Sequence, residues 1–159
     1  MEIYLLRHGI AEDSSPSGSD ADRRLTDEGR EKLRRVMKRA ASAGVEPSLI
    51  LSSPLVRAVQ TAEIAAEALK YSGKIVRVES LTPDSSPRDV WNEIRSRDGE
   101  AAILLAGHEP LFSAATAYLL GATRSMVDFR KAALLRIDVG GTGPTPSGVL
   151  QWMLTPKLA

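Results

Sequence analysis

Glu2-Ile3-Tyr4-Leu5-Leu6-Arg7-His8-Gly9 is the stretch whose reading decides the fold. An apolar-leaning run, Ile3 to Leu6, starts almost at the first residue. It breaks off into a guanidinium, an imidazole and a glycine. Such a run reads as a buried strand whose carboxyl end delivers Arg7 and His8 to a loop. In α/β sheets, ligands bind outside the carboxyl ends of the strands. Gly9 allows a sharp turn there and lets a ligand approach the backbone closely.

Downstream, residues 11–22 are rich in Ser, Asp, Gly and Pro and read as a loop bordering that strand end, with Arg23 and Arg24 closing it. Thr26 suits an N-cap, and Asp27 and Glu28 suit the positive end of a helix over 27–43. Leu33, Val36, Met37 and Ala40 recur at helical spacing, and Gly44 supplies the stop. Gly29 costs this helix a little propensity. Residues 48–52 form a second short strand. Ser53 reads as an N-cap and Pro54 as the first position of a helix reaching about residue 70. Arg57 then falls within or just after its first turn.

A third strand is expected at 75–78, a loop at 82–87 and a helix at 87–97 that buries Val90, Trp91 and Ile94. Residues 101–106 are apolar throughout, as expected of a strand covered on both faces. They run into Gly107-His108-Glu109-Pro110, with Pro110 opening a helix that continues to Gly121. A short helix is expected at 124–130. Strands at 133–139 and 149–154 are joined by the Gly/Pro-rich stretch 140–148 and suit a hairpin. Alternating strands and helices predict a three-layer α/β/α single domain over 1–159 with a mostly parallel central sheet.

Composition narrows the function. With 21 basic and 20 acidic residues the formal net charge is +1, which argues for neither a nucleic-acid nor a membrane partner. The chain has no cysteine, which removes disulfides, thiolate catalysis and Cys-based zinc sites. No signal-peptide progression and no long apolar run is evident, so a soluble cytoplasmic domain is the expectation.

There are two histidines, and each directly follows a buried strand beside a glycine. Parallel strands end at one edge, so His8, His108, Arg7 and Arg57 can meet. Taken singly, each has an ordinary role: a surface cation, a hydrogen-bonded structural histidine, a helix cap. Together they suggest a site for a tetrahedral anion such as phosphate. Arginine offers a fixed fork for phosphate oxygens, and the amino end of the Arg57 helix adds partial positive charge. An imidazole can attack phosphorus and carry it covalently. Neighbouring arginines lower the pKa of His8 and keep a nitrogen free.

These segments resemble the histidine phosphatase superfamily, the group containing phosphoglycerate mutases and histidine acid phosphatases. The residues that carry the likeness are Leu6-Arg7-His8-Gly9, Ser53-Pro54-Leu55-Val56-Arg57-Ala58-Val59-Gln60-Thr61 and Gly107-His108-Glu109-Pro110. Within that group the chain is most similar to the small bacterial phosphohistidine phosphatases. Supporting features are the stretch from Asp20 to Thr26, the short length, and Trp152 followed by Thr155-Pro156. The resemblance implies a phosphoglycerate mutase-like fold. His8 would be the phosphorylated nucleophile. Arg7, Arg57 and His108 would hold the phosphoryl group, with Gly9 beside them and Arg23 at the rim. No cofactor and no metal are implied. The implied partner is a phosphorylated substrate such as a histidine-phosphorylated protein, for example a phosphotransfer domain.

Relatives that act on esters place an acid to protonate an alcohol. Glu109 is the best candidate here, ahead of Glu79 and Glu12, and it equally suits a helix N-cap or first-turn role. An imidazole leaving group needs less help, because its conjugate acid has a pKa of only ~6.5. The alternatives are a phosphatase of small phosphomonoesters and a non-catalytic phosphate-binding module.

Overall fold

β1 (Glu2–Arg7) lies inside a six-stranded sheet, with β4 (Ala102–Gly107) on one side and β5 (Leu134–Val139) on the other. The computed structural model describes residues 1–124 and 126–159. With β2 (Leu49–Ser52), β3 (Ile75–Arg77) and β6 (Gly148–Leu154), the strand order is β3-β2-β4-β1-β5-β6. The β1–β4, β4–β2 and β2–β3 pairings are parallel, and β5 and β6 form an antiparallel hairpin beside β1. The carboxyl ends of β1, β2, β3 and β4 therefore share one edge.

Both faces of this sheet are covered, which is why β1 reads as continuous apolar sequence. Ile3 and Leu5 pack under α3 (Pro87–Arg95) and α4 (Leu111–Leu119), beside Trp91 and Phe112. Tyr4 and Leu6 pack on the opposite face, with Leu33, Val36 and Met37 of α1 (Asp27–Ser42) and Ala62 and Ala65 of α2 (Val56–Ala68). The chain is a three-layer α/β/α fold, as expected. Thr26 caps α1 by accepting from Gly29 N–H, and a Ser86–Asp89 capping box opens α3. No helix among the described residues is long and apolar enough to cross a membrane.

Three local expectations are corrected. Ser53 does not cap α2: the helix starts at Val56 with Leu55 in the cap position and no side-chain cap, and the Ser53 hydroxyl lies between His108 and Leu55 N–H. Pro110 precedes α4 as its cap residue rather than opening its first turn. The helix expected at 124–130 is absent among its described residues; Ser125 lies outside them. The backbone of this segment is committed to β1: Phe129 C=O accepts from Arg7 Nη1 at 2.7 Å, and Ala132 N–H donates to the carbonyls of Arg7 and His8. Phe129 is buried against Phe112, with ring centroids 5.9 Å apart. Other element ends shift by only a residue or two.

The glycines at the strand end serve packing. A Cβ on Gly9 would lie 2.7 Å from Leu33 Cδ1 and 3.1 Å from Gly29 C=O, so the close approach at Gly9 is that of α1. A Cβ on Gly29 would lie 2.2 Å from the carbonyl oxygen of Ile10. Each glycine lets the loop after β1 lie directly on α1.

Candidate active site

The parallel register pairs Arg7 with Gly107, and His8 N–H donates to Gly107 C=O at 2.9 Å. This juxtaposition sets the two histidines side by side, with ring centroids 5.1 Å apart and planes tilted by 55°. Both are buried, at 7% and 1% exposure.

His8 Nδ1 lies 2.8 Å from the carbonyl oxygen of Gly9. A carbonyl only accepts, so Nδ1 carries the proton and Nε2 presents its lone pair. Nε2 makes no hydrogen bond among the described residues. Burial pushes the His8 pKa down to about 4, helped by Arg57, Arg7 and Lys131 and opposed by the bond to Gly9. The arginine effect expected from the sequence is present but is smaller than the cost of burying the charge.

His108 is oriented by a residue the sequence did not single out for this role. Its Nε2 lies 2.7 Å from Ser53 Oγ, and Ser53 is fully buried. The other contact of that hydroxyl is Leu55 N–H, at 3.3 Å, which can only donate. The hydroxyl proton therefore has one acceptor, His108 Nε2, and the imidazole proton sits on Nδ1. Burial, then His8 and Arg57, hold the His108 pKa down at about 3, so the ring is neutral and its tautomer matters. Nδ1–H is buried without a partner.

Arg57, in the first turn of α2, is 5% exposed. It donates from Nη1 to Asp20 C=O at 2.9 Å and from Nη2 to Asp20 Oδ2 at 3.2 Å. The other carboxylate oxygen of Asp20 accepts from Arg23 Nε at 2.8 Å. Arg23 thus belongs to an outer layer, reaching the site through Asp20, and also donates to Glu12 C=O. Burial lowers the pKa of both Arg7 and Arg57; Glu109 and Asp128 oppose it at Arg7, and Asp20 opposes it at Arg57. Thr61 closes the inner layer, accepting from Gly9 N–H at 3.2 Å and donating to Arg57 C=O at 2.7 Å.

Glu109 lies between the site and α4, near enough to Arg7 to act on its charge. Its carboxylate accepts from the backbone N–H and the hydroxyl of Ser113, in the first turns of α4. Glu79 lies in a short 3-10 turn (Glu79–Leu81), and Glu12 lies in an exposed loop. Among the described residues, no three His, Cys, Asp or Glu side chains are grouped so as to hold a metal ion.

The structure thus brings His8, His108, Arg7 and Arg57 to one sheet edge. Three buried side-chain nitrogens lack a hydrogen-bond partner among the described residues: Arg7 Nε, Arg57 Nε and His108 Nδ1. All three belong to this constellation, and each is a donor. Sequence reasoning names Ser53, Asp20 and Thr61 but gives them no role in the site. Ser53 before Pro54 looks like a cap, and Asp20 looks like loop. The one available signal was the Asp20–Arg23 spacing beside a site already suspected of cations.

A sequence model of the histidine phosphatase superfamily (branch 1) matches residues 3–82. The chain belongs to the histidine phosphatase superfamily. It is 36% identical over 144 residues to an uncharacterized protein of Picosynechococcus sp., covering 88% of this chain and 86% of that one. It is 28% identical over 159 residues to the phosphohistidine phosphatase SixA of Escherichia coli, covering 98% and 94%. The solved structure of the protein histidine phosphatase SixA complexed with tungstate superposes with a TM-score of 0.88. There the identity is 27%, and 99% of this chain and 98% of that one are covered. The fold is thus that of SixA, and membership in the superfamily together with the likeness to SixA makes this chain a phosphatase.

Proposed function

We propose that residues 1–159 act as one metal-independent histidine phosphatase domain that passes a phosphoryl group through His8 and works on protein phosphohistidine. The observation that carries this reading is the set of three unpartnered buried donors gathered with the bare Nε2 of His8. Buried polar groups in folded proteins are nearly always paired, so three orphans around one nucleophile ask for an anion.

His8 Nε2 attacks phosphorus in line. The P–N bond to the substrate imidazole breaks, and the electron pair returns to that nitrogen, which leaves as neutral imidazole when its other nitrogen is protonated. Arg7, Arg57 and the His108 Nδ1–H offset the negative charge on the equatorial oxygens. Water then attacks phospho-His8 and gives a proton to the departing phosphate, the second P–N bond breaks with its electron pair returning to His8 Nε2, and inorganic phosphate departs. The neutral His108 donates through Nδ1–H, the tautomer that Ser53 favours.

Two observations favour phosphohistidine over small esters. Both oxygens of the Glu109 carboxylate are engaged by Ser113 of α4, a role that needs no leaving group. The likeness to SixA covers nearly the whole of both chains. The expected physiological partner is a histidine-phosphorylated protein such as a phosphotransfer domain.

The test is a substrate panel, with phosphoimidazole, a phosphorylated phosphotransfer domain and small phosphomonoesters, run on wild type and His8→Ala. Wild type should prefer the phosphoramidates and yield acid-labile phosphate on His8. Equal turnover by His8→Ala would remove the nucleophile. Faster turnover of esters than of phosphoramidates would move the substrate to small phosphomonoesters.

A further inference from the structure

Beside the site lies an open cleft of about 1050 Å³ between α1, residues 126–132 and the C-terminal 3-10 turn (Pro156–Leu158). Six cations line it: Arg7, Lys32, Arg35, Arg130, Lys131 and Lys157. The one acid on its wall is Asp128, which is tied to Arg130 at 2.6 Å. Lys32 pairs with Glu28 at 2.8 Å. Arg35, Lys131 and Lys157 form no ion pair with a described residue. The whole chain carries only +1, so this is a local concentration of positive charge. The cleft is continuous with the chemistry: Arg7 is part of its wall, and Lys131 is close enough to His8 to act on its charge.

We propose that this cleft docks the acidic surface of a phosphohistidine protein and aligns its phosphoryl group with His8; the proposal rests on the phosphatase reading above. The lining separates a protein from a small molecule. Small-ligand pockets enclose the ligand with a few fixed polar groups. Here the cations other than Arg7 stand on long side chains at the rim, and Arg35, Arg130, Lys131 and Lys157 are exposed. Such groups steer and orient a charged macromolecular face rather than grip a metabolite. Nucleic acid fits less well, because no aromatic side chain lines the cleft to stack a base.

The experiment uses the double variant Arg35→Glu/Lys157→Glu, both exposed positions outside the phosphoryl site. Two probes are compared: phosphoimidazole, and a phosphotransfer domain phosphorylated on histidine and bearing acidic residues around it. Turnover of phosphoimidazole should stay within twofold of wild type. The kcat/KM on the protein substrate should fall at least tenfold, and its decline with added salt should flatten. Arg35→Gln/Lys157→Gln should fall between. Equal losses on both probes, or no loss on either, would overturn the docking surface while leaving the phosphatase intact. A single-stranded oligonucleotide that binds wild type and releases from the variant, with protein turnover unchanged, would assign the cleft to nucleic acid instead. Failure of wild type itself to hydrolyse either phosphoramidate would overturn the phosphatase reading, and the docking proposal with it.

Discussion

Ser53→Ala tests the hydrogen bond that sets the tautomer of His108. The substitution removes one oxygen from a fully buried position and leaves His108 Nε2, 2.7 Å from it, without a donor. Leaving a buried group unsatisfied costs about 1–3 kcal/mol. With the bias gone, the ring can place its proton on Nε2, and Nδ1 then faces the phosphoryl oxygens with a lone pair rather than a proton. A loss of that size in transition-state binding corresponds to a fall of roughly 5- to 150-fold in kcat/KM. Steady-state turnover of phosphoimidazole measures it, with thermal unfolding to confirm that the fold survives. Ser53→Thr, which keeps the hydroxyl, should recover most of the activity.

A double-mutant cycle separates positioning from damage. If Ser53 acts through His108, then Ser53→Ala in a His108→Ala background should change kcat/KM by less than about twofold, because contacting residues couple rather than add. Equal losses in both backgrounds would show that Ser53 serves something else. Full activity in a folded Ser53→Ala single variant would show that the tautomer does not matter.

Other perturbations follow from the same geometry. The folded-state pKa values of His8 and His108 lie near 4 and 3, below the ordinary value of 6.5, so the unfolded chain binds protons first as pH falls. Stability should therefore be full above about pH 6.5 and decline toward pH 3, with the His8 shift alone amounting to about 3 kcal/mol at its low end. Denaturant unfolding across that range measures it, and a flat profile would contradict the burial argument. The acid limb of kcat/KM should likewise fall well below pH 6; a limb centred at 6.5 would mean that His8 titrates like free imidazole. Gly29→Ala should destabilise the fold by about 1–3 kcal/mol, although alanine favours an isolated helix by about 1 kcal/mol, because its Cβ would meet the Ile10 carbonyl. A gain in melting temperature would refute that contact. Glu109→Gln should leave phosphoimidazole turnover within a few-fold and lower stability by up to about 1 kcal/mol, since Ser113 loses a charged acceptor. A large loss confined to ester substrates would instead make Glu109 a proton donor.

The parts of this fold legible in the sequence are those whose signal is local and repeated. β1 and β4 announce themselves because strands covered on both faces must be apolar throughout, and each ends on a His beside a Gly. α1 shows its buried face at helical spacing. Features set by a distant partner were not legible. Residues 126–130 carry no strong pattern of their own, and what they do is decided by Arg7 reaching Phe129. Ser53 before Pro54 has the chemistry of a cap, and only the arrival of His108 from 55 positions away gives its hydroxyl another use. Gly9 reads as room for a ligand, and a Cβ there would meet Leu33 and Gly29 of α1. Glycine reports that something comes close without saying what.

The precision of the site has its source in strand order. β4 is inserted between β1 and β2 although it follows both in sequence, and this insertion makes Arg7 and Gly107 register partners. The two imidazoles are thereby held by a ladder of backbone hydrogen bonds rather than by loops. A one-residue slip of β4 against β1 would turn the side chains of β4 to the opposite face, so burial of Ile103 and Leu105 on one face and Leu104 on the other enforces the histidine spacing. Arg57 arrives differently, on a helix leaving the neighbouring strand, and is steadied from the rim by Asp20. That division is physically sensible. On the proposed mechanism, His8 and its neutral neighbour must be fixed within tenths of an ångström for in-line attack. A guanidinium that follows charge from ground state to transition state tolerates a softer mount, and its partner Asp20 sits where solvent can take over its charge.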